Sequence, residues 1–162
     1  MNPPVEFRSG TREDVPLILQ FIRAIASYEK MTDQVEATEA SLEKWMFTER
    51  VAEVIFAIVD GKEVGFALFH HNFSTFVGRA GIHLEDIYVN EEYRRQGLGR
   101  AMFMEVVRIA KERGCGRMEW ECLNWNEPAI EFYLSLEARP LAEWTTYRLD
   151  QKDIDRLLAA EA

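Results

Sequence analysis

The chain has 162 residues, 48% of them hydrophobic and 12% aromatic, and a formal net charge of −9. That length and apolar fraction suit one globular domain over residues 1–162 with a sizeable core. The negative charge argues against nucleic acid, whose phosphates demand a basic surface, and suits a cationic partner. Apolar runs are far too short to cross a bilayer, and Met1-Asn2-Pro3-Pro4 begins no secretory signal, so a cytoplasmic location away from membranes is expected.

In chain order, a first strand is predicted over 5–8. Thr11 and Asp14 are both suitable N-caps for a helix carrying Val15, Leu17, Ile18, Phe21, Ile22 and Ile25 at helical spacing. Pro16 falls in its first turn, where a missing N–H costs little. A second helix is predicted over 38–47. Residues 54–59 and 64–73 read as a hairpin about Asp60-Gly61, a strong two-residue turn signal.

A loop over 72–81 is followed by a strand at 82–89, a long helix at 98–113, a strand at 117–123, a short helix at 128–136 and a last strand at 144–149. The tail, 152–162, reads as an amphipathic helix with Ile154, Leu157 and Leu158 inward. Hairpins at the front and strand–helix alternation behind predict a mixed α/β (α+β) sheet, parallel between 82–89 and 117–123. The ligand site of such a sheet lies at the carboxyl ends of its parallel strands.

The most informative stretch is Arg94-Arg95-Gln96-Gly97-Leu98-Gly99, between the 82–89 strand and the long helix. The start of that helix offers unpaired N–H groups and the positive end of the helix dipole to an anion. Gly97 and Gly99 allow close approach to the main chain, and Arg94, Arg95 and Arg100 add charge. R-x-x-G-x-G/A arises by chance in roughly one chain of this length in ten, so the strand–turn–helix context carries the weight. A Walker A loop and a dinucleotide fingerprint both need a different pattern. Cys115 and Cys122 have no partnering pattern and read as reduced thiols; His70, His71 and His83 lack further ligands at metal spacing and read as strand residues, so no metal is expected.

The glycine turn resembles the acetyl-CoA motif of the GCN5-related N-acetyltransferases (GNAT), Gln/Arg-x-x-Gly-x-Gly/Ala. Leu84-Glu85-Asp86, Trp125-Asn126-Glu127-Pro128-Ala129-Ile130, Glu131-Phe132-Tyr133 and Tyr28-Glu29-Lys30-Met31 with Asp33-Gln34-Val35 are similar to the diamine (spermidine/spermine and thialysine) branch. The resemblance implies a sheet of about seven strands flanked by helices, with two parallel strands splayed to admit acetyl-CoA. It implies backbone contacts from Ile87, Tyr88 and Val89, a phosphate cradle from Arg94, Arg95, Gln96, Gly97, Leu98, Gly99 and Arg100, and further contacts from Asn126, Glu127, Pro128, Ala129 and Tyr133.

It further implies Glu85 as general base, Tyr133 as general acid, and Tyr28, Glu29 and Asp86 as holders of a cationic acceptor, with Trp120 and Glu121 as weaker candidates facing the same cleft. The implied reaction is transfer of the acetyl group of acetyl-CoA to a primary amine, by direct attack in a ternary complex, in a homodimer. Exposed-looking Trp144 and Tyr147 are the sequence's own support for that dimer.

Some positions depart from the branch. Lys30 replaces an aromatic, the loop at Ser74 and Thr75 lacks an acid, and Trp144-Thr145 replaces an acidic pair. Fewer carboxylates favour a shorter amine or an amino-acid-like acceptor over a polycation. A protein acceptor and a non-catalytic acyl-CoA-binding module are the alternatives; the presence of both Glu85 and Tyr133 argues against the latter, since binding alone needs neither.

Overall fold

The structure, a computed structural model, describes residues 4–161 and divides into two compact units, 1–121 and 122–162. Residues 1–3 of the stretch read for a signal, and residue 162 at the end of the tail helix, lie outside the described residues.

In the first unit, β1 (Glu6–Ser9), β2 (Glu53–Val59), β3 (Lys62–Ser74), β4 (Arg79–Val89) and β5 (Met118–Glu119) form one sheet in that order. Successive pairs are antiparallel up to β4, and β4 pairs with β5 in parallel. Asp60 and Gly61 both take positive φ, 49° and 74°, the pairing a tight hairpin turn requires. The sheet is mixed, as the element order predicts.

Its extent corrects the expected seven strands to five among the described residues. The strand predicted at 117–123 keeps a ladder with β4 only at Ile82↔Met118 and His83↔Glu119. The one predicted at 144–149 forms no strand: Trp144 and Tyr147 are 74% and 91% exposed. Alternation in sequence supplies a side-chain face, but a strand exists only where a neighbour accepts its main-chain hydrogen bonds.

Helices complete the layers of this unit. α1 (Val15–Tyr28) follows a short turn capped through Thr11 and Asp14, and α2 (Glu39–Leu42) runs on into a π-helical turn at Glu43–Thr48. Ile18 and Phe21 of α1 form a core with Met46, Val54, Phe56, Phe66 and Leu68. Phe21 stacks on Phe66 with ring centroids 5.1 Å apart. Further along the chain, α3 (Leu98–Glu112) packs on β3 and β4, burying Leu98, Met102, Phe103, Val106 and Ala110. Met102, Val106, Ile109 and Ala110 recur at helical spacing in the sequence and mark the packed face, though Ile109 is only partly buried. Each fully buried side chain of this size contributes about 1.5–3 kcal/mol of burial free energy.

One irregularity of the sheet bears on function. Leu68 pairs with Asp86 and Phe69 with Leu84, so Glu85 bulges out of the β3–β4 ladder. A bulge re-aims the side chains around it.

The second unit contains α4 (Glu127–Ser135) and α5 (Gln151–Ala160). Asn126 is the N-cap of α4, which begins one residue before the predicted start at 128, and Pro128 sits in its first turn. α5 starts on a capping box of Asp150 and Asp153. Its Ile154, Leu157 and Leu158 are 46%, 43% and 68% exposed, not inward. The amphipathic stripe is real, but a stripe is buried only where an element of matching shape faces it.

Candidate active site

Val89 ends β4, and the chain passes through a single turn at Glu91–Tyr93 into the basic glycine segment. Gly97 is the N-cap of α3 with φ 81°, a left-handed conformation that glycine adopts without a Cβ penalty. Arg95 also has positive φ, 60°. Gly97 cannot cap with a side chain, and no side-chain cap occurs among the described residues, so the positive end of α3 keeps its capacity for an anion. A Cβ at position 99 would meet nothing within 4 Å.

The arginines divide their tasks. Arg95 and Arg100 are exposed beside this turn. Arg94 Nε donates to the Val89 carbonyl at 2.9 Å, and its guanidinium lies 5.0 Å from the Tyr28 ring centroid and 5.1 Å from that of Tyr88. Arg94 therefore ties the end of α1 to the end of β4, with a cation–π contribution from each ring. Gln96 donates to the Glu92 carbonyl at 3.1 Å. These holding roles left no sequence signal, because the charges alone read as anion contacts.

On β4, Ile87, Tyr88 and Val89 lie beyond the last β4–β5 pair, His83↔Glu119, and keep their pairing with β3. The parallel strands thus part company before the end of β4. Immediately before these residues stand Glu85, largely exposed, and Asp86, half-buried. Burial, then the nearby Glu85 and Glu29 carboxylates, push the Asp86 carboxyl up to about 7. Burial also raises the Glu29 carboxyl. With Glu85 and Glu29 close enough to perturb Asp86, the three acids form a local concentration of negative charge. Trp120 packs edge-on against Phe103 at 5.1 Å, a core contact rather than an open ring face.

The structure also gathers groups that the sequence reading kept apart. His70 and His83 are cross-strand partners, and their rings stack at 4.9 Å. Nε2 of His83 lies 3.0 Å from a Glu121 oxygen and 3.6 Å from a Glu85 oxygen, and Nε2 of His70 lies 3.9 Å from the same Glu85 oxygen. The expectation of isolated strand histidines is corrected: ligand-capable atoms of His70, His83 and Glu85 all lie within 4.8 Å of one another. A signal was available, because a loop over 72–81 has its midpoint between Phe76 and Val77, which sets position 70 opposite 83. His71 is separate, with Nδ1 3.0 Å from the Gly81 carbonyl and Nε2 3.0 Å from Arg113. Cys115 and Cys122 form no disulfide.

In the second unit, the Asn126 carbonyl accepts from Ile130 N at 3.0 Å, opening α4, whose first turn contains Glu127, Pro128 and Ala129. Tyr133 is one turn further on. Its ring tilts against Phe132 at 5.3 Å, and burial, with a smaller effect of Cys122, pushes the phenol up to about 12.

Residues 19–137 match the acetyltransferase (GNAT) family. Thialysine N-epsilon-acetyltransferase of Sus scrofa is 37% identical, with 90% of this chain and 92% of that protein covered. L-ornithine N5-acetyltransferase of Arabidopsis thaliana is 27% identical over 88% of this chain and 82% of its own length. Among solved structures, an integron cassette protein of V. cholerae superposes with a TM-score of 0.78 at 25% identity, with 98% of both chains covered. A basic glycine turn between strand and helix, a mixed sheet that parts beside it, and these matches agree, and the chain belongs to the GNAT family of acetyltransferases.

Proposed function

We propose that this enzyme transfers the acetyl group of acetyl-CoA to a primary amine of a small cationic or amino-acid-like acceptor, by direct attack within a ternary complex. The observation that carries the reading is the succession along β4 and its exit. A bulge presents Glu85 and Asp86, the strand then runs clear of β5 over Ile87, Tyr88 and Val89, and a glycine-capped helix N-terminus follows.

On this reading the first-turn amides of α3 with Arg95, Gln96, Gly97, Leu98, Gly99 and Arg100 hold the diphosphate, while Ile87, Tyr88 and Val89 pair with the pantetheine arm. Arg94 supports that cradle from behind through Val89, Tyr28 and Tyr88. Asn126, Glu127, Pro128 and Ala129 contribute further contacts, Glu85 takes the acceptor's proton and Tyr133 supplies one to the leaving sulfur. The left-handed Gly97 makes the cradle testable. Gly97→Val forces a β-branched residue into a conformation costing about 1–2 kcal/mol and is expected to weaken coenzyme A binding about tenfold or more. Gly99→Ala, which the Gly/Ala alternative of the motif allows and whose Cβ would meet no protein atom within 4 Å, leaves binding within about twofold.

The acceptor's class follows from charge. An ammonium group placed near Asp86, Glu29 and Glu85 offsets repulsion among the acids, whereas a neutral amide or sugar does not. Tyr28 has one contact with Arg94 already, so it shapes the acceptor site together with that arginine. Trp120 and Glu121 stay in the reading as secondary acceptor contacts. The relatives named for thialysine and L-ornithine support an amino acid bearing a side-chain amine.

Thiol release from acetyl-CoA, measured over thialysine, L-ornithine, lysine, spermidine and spermine, tests the whole. Amino-acid diamines are expected to outperform spermine, and Asp86→Asn is expected to raise the acceptor KM about 10- to 100-fold, the loss of a hydrogen bond to a charged group, with the acetyl-CoA KM unchanged. Tight coenzyme A binding with no turnover on any amine would overturn the proposal in favour of a regulatory acyl-CoA-binding module.

Residues 1–162 act on this reading as one N-acetyltransferase domain, supported by a family match that runs across the division at 121/122. It includes a cytoplasmic homodimer acting on small molecules, without nucleic acid, membrane or a required metal; exposed Trp144 and Tyr147 support the dimer.

A further inference from the structure

We infer that His70, His83, Glu85 and Glu121 form a binding site for a divalent transition-metal ion of the zinc class. Two imidazoles and two carboxylates make a donor set suited to Zn2+, and a hard ion such as Mg2+ prefers oxygen donors alone.

The spacing fits. Four ligands at about 2.0–2.2 Å around a tetrahedral ion stand roughly 3.4 Å from one another. The separations of 3.0 Å from His83 to Glu121, 3.6 Å from His83 to Glu85 and 3.9 Å from His70 to Glu85 lie around that value, and ligand-capable atoms of His70, His83 and Glu85 all lie within 4.8 Å of one another. Small side-chain rotations close the remainder, since both carboxylates are largely exposed while His83 is mostly buried and His70 one-third exposed.

The ring positions are fixed by the fold. Cross-strand pairing of His70 with His83 stacks the imidazoles and sends both Nε2 atoms toward Glu85. Nδ1 of His70 lies 3.2 Å from the His71 carbonyl, an interaction that places the proton on Nδ1 and leaves the Nε2 lone pair for a metal. Glu121 lies two residues beyond β5, whose Glu119 is the ladder partner of His83, so a parallel pair delivers the fourth donor. Apart from His83 and Glu85, two residues apart on β4, the donors come from separate segments of the chain, which is why no ligand spacing is visible in the sequence.

Occupancy has a consequence that rests on the function proposed above: an ion coordinated by Glu85 withdraws the base from the acceptor, so zinc inhibits acetyl transfer reversibly.

Titration of tag-free protein with ZnCl2 in a calorimeter tests the site. One zinc per chain is expected, with no heat from MgCl2. His70→Gln and His83→Gln should each weaken zinc at least about 100-fold, since losing a ligand costs no less than losing a residue that merely orients one. Co2+ in place of zinc should give the visible bands of four-coordination without thiolate charge transfer, a readout that needs no variant. Zinc binding to wild type that is absent, or unchanged in both variants, or a thiolate spectrum pointing to Cys115, would overturn the site. In the activity arm, His70→Gln should turn over at the wild-type rate in chelator and resist zinc. Zinc held as described with turnover intact would support the site and overturn Glu85 as the base.

Discussion

Glu85→Gln is expected to lower kcat about 1,000-fold at neutral pH and to leave coenzyme A affinity unchanged. The acceptor amine has an unperturbed pKa of about 10.4, so roughly one molecule in a thousand is nucleophilic near neutrality. A positioned base typically contributes about 10²- to 10⁴-fold by removing that proton where it is needed. Glutamine keeps the size and polarity of the side chain at the bulge and removes only the capacity to accept the proton. The signature is pH rescue. As pH rises toward the acceptor pKa the free-amine fraction grows about tenfold per unit, so the gap between variant and wild type should close. Steady-state kinetics at two pH values check this, and a gap that stays constant would assign Glu85 a structural role.

Tyr133→Phe is expected to lower kcat about 100-fold, again with coenzyme A affinity intact. The phenol is pushed up to about 12, so it remains protonated at every pH at which the protein is assayed. That shift has two opposed effects. The donor is always loaded, but it is a weaker acid than one matched to neutral pH, which places its contribution at the low end of the usual range for proton transfer. The sign for pH dependence follows: deprotonation of Tyr133 belongs to the region near 12, so the kcat profile should show no descending limb from this group between about pH 8 and 10. An unchanged kcat in the phenylalanine variant would remove Tyr133 from the chemistry.

The parts of the fold legible in sequence are those decided locally. The Asp60-Gly61 hairpin, the stripe of α1, the stripe of α3 and the glycine turn before it each carry their cause within a few residues: positive φ at a turn, apolar spacing on one face, a missing Cβ at a cap. What the sequence mispredicted depends on partners. Residues 144–149 are rich in the aromatic and β-branched types strands favour, yet form none, and 117–123 pair for two residues only. The tail helix forms close to its predicted bounds, over Gln151–Ala160, and its apolar stripe stays unburied.

The candidate site divides the same way. Glu85, Asp86 and Gly97 are recognisable from motif and position, and the fold adds how they are aimed. The bulge at Glu85 has no sequence mark, because it is a mismatch between two strands and not a property of either. Arg94 reads as one more positive charge until the two tyrosines flanking it are visible. The pairing of His70 with His83 is an intermediate case, recoverable by counting back from the loop midpoint.

Isothermal calorimetry with coenzyme A tests the central claim, that the amides opening α3 cradle a diphosphate. One molecule bound per chain by wild-type protein, with affinity reduced about tenfold or more by Gly97→Val and preserved by Gly99→Ala, is the expected result. Absence of binding to correctly folded wild-type protein would contradict it.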